Sequence, residues 1–182
     1  MKFSVAHQPG KTYDEDSLYE YAVGALARKM RSVAELKRLL RRRLPPGEES
    51  EALVEAVTKR LKDQRYLNDS AYAAAYSSYR KENQKFGRLR VVSDLKARGV
   101  HNDVISKAVS AAYAGADEEK LAREYLRRKK LNKPVDAKEV GRLFRALLRA
   151  GYSSRTISRI LKQWDVDDEV LSALESEQGD YA

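Results

Sequence analysis

Apolar residues recur along the chain three and four positions apart, and no segment sustains strand-like alternation. In the stretch AELKRLLRRRL, residues 34–44, Leu36, Leu39 and Leu40 share one helical arc with the preceding Val33, while Lys37, Arg38, Arg41 and Arg42 share the opposite arc. One face packs; the other meets solvent or something acidic. Two later segments can be laid over this one: VSDLKARGV (92–100) and FRALLRAGY (144–152), each a basic amphipathic helix end. After a short break a second apolar-periodic helix follows each of the three. It carries Leu53, Val54, Val57 and Leu61 the first time, Val104, Ile105, Ala108 and Ala112 the second, and Ile157, Ile160, Leu161 and Trp164 the third. A further helix precedes each, over roughly 17–29, 70–81 and 117–130.

The pattern therefore predicts an all-α chain of three tandem three-helix repeats, at 16–67, 68–115 and 116–165. A flexible segment is expected at 1–15 and an acidic C-terminal tail at 166–182, loosely ordered beyond about Val170. A repeat of about fifty residues has a thin core by itself, so neighbours are expected to lean together in an elongated, curved array. The breaks agree with this division. Gly99 and Gly151 sit where a residue of positive φ stops a helix, whereas the first repeat ends at Pro45-Pro46 in a longer loop. Ser153 or Ser154, Asn102, and Asn68 or Asp69 are the expected N-caps.

Charge changes the picture more than hydropathy does. The chain has 42% hydrophobic and 35% charged residues and a net charge of +9; mean hydropathy is −0.67 and the pI about 9.6. From Asp165 onward there are seven acids and no base, so +9 overall means +16 on residues 1–164. A body that basic is drawn to nucleic acid, an anionic membrane or an acidic protein surface. Cysteine is absent, which removes disulfides and thiolate metal or redox sites. No apolar run has the length of a membrane span or a signal-peptide core, so a cytoplasmic, monomeric protein without membrane contact is expected.

Catalytic chemistry finds no residue set. PGKT at 9–12 resembles the end of a phosphate loop, but Val5 stands where that pattern needs glycine. The two histidines are His7, in the N-terminal segment, and His101, at a helix start suited to capping. The carboxylate pairs Glu118-Glu119 and Asp167-Asp168 are sequence neighbours that point to different helix faces, as first-turn charge does. Neither enzyme activity nor a cofactor is expected. Tyr72, Tyr76 and Tyr79 lie on one helix face; packing between helices is the favoured reading, base stacking the alternative.

The recurrent signal is the basic middle helix. In the first repeat Arg28, Lys29, Arg31, Lys37, Arg38, Arg41 and Arg42 accumulate against Glu35 alone. The second has Arg88, Arg90, Lys96 and Arg98 at the corresponding place; the third has the ridge Arg142, Arg145 and Arg149 opposite Leu143, Phe144, Leu147 and Leu148. Arg127, Arg128 and Lys130 add a cluster at a helix end, where the macrodipole also favours cations. All seventeen are candidate contacts to an anionic partner.

YAVGALARKMRSVAELKRLL (21–40), LVEAVTKRLKDQRYLNDSAYAAAY (53–76) and KFGRLRVVSDLKARGV (85–100), in that order, resemble the successive signatures of the RecX family, bacterial regulators of the RecA recombinase. The resemblance covers about 16–165 and implies three tandem three-helix repeats. It also implies a role in DNA repair, recombination and the SOS response, through binding in the groove of the RecA filament on single-stranded DNA and inhibition of its extension, ATPase, strand exchange and coprotease activities. The loop LPPGEESEA (44–52) and the acidic tail depart from the family pattern. Three function classes follow. The leading one is a noncatalytic filament regulator, and the second a direct, sequence-nonspecific binder of single-stranded DNA or other nucleic acid. The third is an enzyme. No repeat offers the Asn, Gln and Arg cluster of base readout. For the acidic end two readings stand: a segment competing with the anionic partner, or a final helix packing Val170, Leu171 and Leu174 on the third repeat.

Overall fold

A computed structural model describes residues 13–179 of the protein, and among them the only regular elements are ten α-helices. The first three are α1 (Glu15–Arg28), α2 (Val33–Arg41) and α3 (Glu48–Asp63). The next three are α4 (Asp69–Gln84), α5 (Arg88–Ala97) and α6 (Asn102–Ala112). Then come α7 (Glu118–Lys129), α8 (Ala137–Arg149), α9 (Ser154–Lys162) and α10 (Asp168–Gly179). The helices thus run in three sets of three, with a tenth at the end. PGKT and His7 lie outside the described residues.

Caps account for where the helices begin. Asp14 and Ser32 each close a capping box, on Ser17 and Glu35 respectively, so α1 and α2 start with their first free N–H groups satisfied. Asp117, Asp136 and Ser153 cap α7, α8 and α9 in the simpler way. Asn68 Oδ1 accepts from Ser70 N and Ala71 N at the start of α4. At α6 the expected Asn102 is replaced by His101, whose Nδ1 accepts from Asp103 N at 3.4 Å. A ring nitrogen one residue earlier reaches the same orphan donors. Gly99 (φ 75°) and Gly151 (φ 91°) end the second helix of their sets, as the sequence predicts.

The helices pack as two compact units. Among the described residues, one comprises 13–72 with Arg98–Val100, the other Ala73–Ala97 with 101–179. In the first unit Leu18 and Ala22 from α1, Leu36 and Leu40 from α2, and Val54, Val57 and Leu61 from α3 form one buried cluster that Leu67 completes. The arc read from residues 33–40 is therefore the packed one. In the second unit Leu121, Tyr125 and Leu126 from α7 meet Leu143, Phe144 and Leu147 from α8 and Ile157, Ile160 and Leu161 from α9.

Two expectations about the ends are corrected. Tyr13 to Glu15 are ordered, as Tyr13 packs at 6.2 Å from Tyr21 and Asp14 caps α1. The end beyond Val170 is not loose either: of the two readings of the acidic end the final helix is the one observed, α10 burying Leu171 against the second unit's core with Val170 and Leu174 half-buried beside it. Three apolar residues at i, i+1 and i+4 make a packing stripe narrow enough for seven surrounding acids to mask it.

Close backbone approach joins α5 to the turn before α9. Gly87 N donates to Ala150 O at 2.8 Å and Leu89 N to Gly151 O at 3.2 Å. A Cβ on Gly87 would lie 2.2 Å from Gly151 O, and one on Gly151 would lie 2.2 Å from Arg90 N. Only glycine allows this contact. Tyr152, fully buried beside it, donates to Lys85 O and lies 3.1 Å from Leu121 O, and burial pushes its phenol well above the ordinary value.

Candidate anion-binding surfaces

The α2 helix presents Lys37, Arg38, Arg41 and Arg42 away from its buried leucines, as its periodicity requires. They are not equally available. Lys37 is ion-paired with Glu55 and Arg41 with Glu51 at 2.8 Å, both acids on α3. Arg38 donates from Nε to Ala34 O at 3.3 Å and is otherwise exposed, as is Arg42 at the end of the helix. Arg28 and Lys29 are exposed at the end of α1, while Arg31 is half-buried with no acceptor on its Nε among the described residues. Arg98 faces inward: it pairs with Glu35, and its carbonyl accepts from Ser32 Oγ at 2.6 Å. Its role is to seat the start of α2, where Val33 N also donates to Asp69 Oδ1 at 2.8 Å.

In the second unit, Arg88 and Lys96 on α5 are exposed, whereas Arg90 pairs with Asp94 at 3.0 Å. Asp94 also accepts from Arg80 and from Tyr76 Oη, both at 2.9 Å. Of the tyrosine stripe, Tyr72 is buried and Tyr76 hydrogen-bonded, which is the packing reading; Tyr79 is 55% exposed. Arg142, Arg145 and Arg149 stand exposed along α8, opposite buried Leu143, Phe144 and Leu147.

A groove of about 880 Å³ runs beside α7 toward the end of α9. Leu126, Leu131 and half-buried Trp164 form its apolar part, and Lys120, Arg127 and Lys130 stand along its wall. Arg123 and Lys133 also line it but are engaged, with Glu119 at 2.9 Å and Asp165 at 2.8 Å. The Arg123 hydrogen bond holds the Glu119 carboxyl below its ordinary value, and the Lys133 hydrogen bond does the same for Asp165. Arg128 is exposed on the same helix. Lys130 takes a left-handed backbone (φ 54°) as the C-cap, which turns the chain so that Leu131 returns over Leu126.

The pair Glu118-Glu119 diverges as its adjacency predicts. Glu118 accepts from Ser153 N at 2.9 Å, Ser153 Oγ at 2.7 Å and the Thr156 hydroxyl, bracing the start of α9. Burial works against its charge, but these hydrogen bonds prevail and hold its carboxyl below 4.5. The acids of the C-terminal end face the third set of helices: Asp168 pairs with Lys162 at 2.8 Å, and Glu175 accepts from Ser158 Oγ.

Sequence reasoning missed Lys120 and Trp164. The spacing Lys120–Arg127–Lys130 marks one side of a helix, but Trp164 reads equally as the end of a core stripe. Among the described residues no group of three or more His, Asp or Glu could hold a metal ion, and no helix is long and apolar enough to cross a membrane.

Residues 68–109 match the family model described as RecX, second three-helix domain. The regulatory protein RecX of Pseudomonas fluorescens is 33% identical over 148 residues, covering 81% of this chain and 91% of the relative. That of Chromobacterium violaceum is 32% identical, over 70% of this chain and 80% of the relative. Among solved structures, RecX from Lactobacillus salivarius superposes with a TM-score of 0.62 at 19% identity, covering 83% of this chain and 96% of that one. Another, of regulatory protein RecX, has a TM-score of 0.64 at 22% identity, over 82% and 71%. Identity above 30% along most of both chains, on a fold of helices in sets of three, means that this chain belongs to the RecX family of regulatory proteins.

Proposed function

We propose that the protein is a noncatalytic regulator of the RecA recombinase. It acts from the cytoplasm as a monomer, binding the RecA filament on single-stranded DNA through repeated basic helix faces and lowering its ATPase, strand-exchange and coprotease activities. The observation that carries this reading is the recurrence, on or at the end of the second helix of each set, of exposed cations with no ion pair among the described residues, joined to membership of a family of regulators. These cations are Arg42 on the first, Arg88 and Lys96 on the second, and Arg142, Arg145 and Arg149 on the third. Arg38 joins them, since its only partner among the described residues is a backbone carbonyl. Three repeats at 16–67, 68–115 and 116–165 would each contribute one such face.

The decisive measurement is RecA ATP hydrolysis on single-stranded DNA with increasing amounts of the protein. Turnover should fall while the protein alone hydrolyses nothing; unchanged turnover at saturation would refute the reading. Exchanging Arg38, Arg41 and Arg42 for Glu should weaken filament binding with helicity retained, since none of the three is buried. Loss of folding would mean that this face is structural.

A further inference from the structure

The groove between α7 and the end of α9 combines two features that the basic helix faces lack together. Lys120 and Arg127 stand at i and i+7, within about 20° of one another around α7 and about 10 Å apart along it, and Lys130 follows at the C-cap. None of the three is ion-paired with a carboxylate of the described residues. Behind them the indole of Trp164 lies half-buried beside Leu126 and Leu131, so the groove offers an aromatic side chain next to a line of exposed cations.

We propose that this groove binds single-stranded nucleic acid, with phosphates along Lys120, Arg127 and Lys130 and one base stacked on Trp164. A row of three cations, two of them about 10 Å apart, suits a polyanion rather than a single phosphate. The aromatic face selects among polyanions. The carboxylates of an acidic peptide are repelled by the electron-rich face of an indole, and a duplex keeps its bases stacked on each other, whereas an unpaired strand presents both base and phosphate. Leu126 and Leu131 supply an apolar bed for the rest of the base and sugar. Two carboxylates also line the groove: Glu119 is engaged by Arg123, and Asp117 accepts from Lys120 N as the N-cap of α7, so the acids lie at the start of the helix while Arg127 and Lys130 stand at its other end. The site deepens the filament reading and rests on it for its setting, because a recombinase filament carries single-stranded DNA.

Trp164 is the only tryptophan, so the intact chain reports on its own groove. Titration with oligothymidylate at low salt should quench its fluorescence saturably, while a duplex of equal length and a polyglutamate peptide should quench at least tenfold more weakly. By anisotropy of a labelled oligonucleotide, the triple exchange of Lys120, Arg127 and Lys130 for Gln should weaken binding at least tenfold. It should also flatten the dependence of log affinity on log salt by about 2, near 0.7 for each lost phosphate contact. Trp164→Leu should weaken it roughly tenfold and Trp164→Phe by less, because phenylalanine still stacks. Circular dichroism checks that each variant is folded, and Lys130→Gln alone, at an exposed helix end, gives a mild test of the same charge row. Absent quenching, affinity unmoved by both charge variants, or equal affinity for polyglutamate would overturn the proposal, the last giving the groove to a protein partner. A fall in RecA turnover without oligonucleotide quenching would sink the groove and leave the regulatory reading standing.

Discussion

In the first unit, the turn Arg98–Val100 receives the start of α2 through side chains: Ser32 Oγ donates to Arg98 O, Glu35 pairs with Arg98, and Gly99 passes close to Ala34 Cβ. In the second unit, the turn Ala150–Tyr152 receives the start of α5 mainly through backbone, Gly87 against Gly151, with the buried Tyr152 hydroxyl donating to Lys85 O beneath. Both joins set a second helix's N-terminus on a glycine-bearing turn. At the first a Cβ on the glycine would meet a single methyl, Ala34 Cβ at 2.5 Å, whereas at the second it would meet Arg90 N at 2.2 Å, Arg90 Cβ at 2.5 Å and Gly87 O at 2.8 Å. The units differ in charge as well. On α2 two of the four outward cations are neutralised by α3, while Lys120 and Arg127 on α7 and Lys130 at its C-cap form no ion pair among the described residues. A cation matters to a partner only after its neighbours have been counted.

The largest effect expected from breaking the comparison is Gly151→Ala. Its new carbon would press on Arg90 N at a backbone φ of 91°, a combined clash and strain of roughly 2–6 kcal/mol. Gly99→Ala would meet one atom, Ala34 Cβ, and should cost less; equal losses in thermal midpoint would erase the distinction between the joins. Next come the cores. Leu147→Ala and Leu40→Ala, both fully buried, should each cost about 2–5 kcal/mol, and amide exchange should accelerate first in α7–α9 for the former and in α1–α3 for the latter.

Glu118→Ala should cost about 1–2 kcal/mol by releasing the donors at the start of α9. Because the folded carboxyl titrates below its ordinary 4.5, this contribution is complete above that value and disappears as pH falls through the folded one. The gap between variant and parent, measured by denaturant unfolding at neutral pH and in acid, should therefore close in acid. A constant gap would make the hydrogen bonds charge-independent. Smallest of all is Glu51→Gln, which breaks the exposed pair with Arg41; its thermal midpoint should match the parent's, while Arg41 gains freedom to bind an anion.

Much of this was legible in the residues. The apolar stripes of α2, α3, α8 and α9 name their buried faces correctly, since a period near 3.6 can bury only one side of a helix. The stops at Gly99 and Gly151 follow from the one residue type at ease with positive φ. Where competing local signals were close in strength, reading stopped short: His101 took the cap expected of Asn102, and a sparse stripe among acids became α10. The candidate site was legible only as an inventory of cations.

Periodicity, caps and glycine placement by themselves determined the helices, their order in sets of three and the sign of the charge on their outer faces. Those features depend on neighbours within a few positions, and local sterics and hydrogen bonding settle them. Which cations are free was decided in three dimensions, because Glu51, Glu55 and Asp165 lie 10, 18 and 32 positions from the bases they neutralise. The groove that sets Trp164 beside Lys120, Arg127 and Lys130 has the same origin: it exists only when α7 and α9 pack, and Coulomb attraction and shape act through space, where separation along the chain carries no weight.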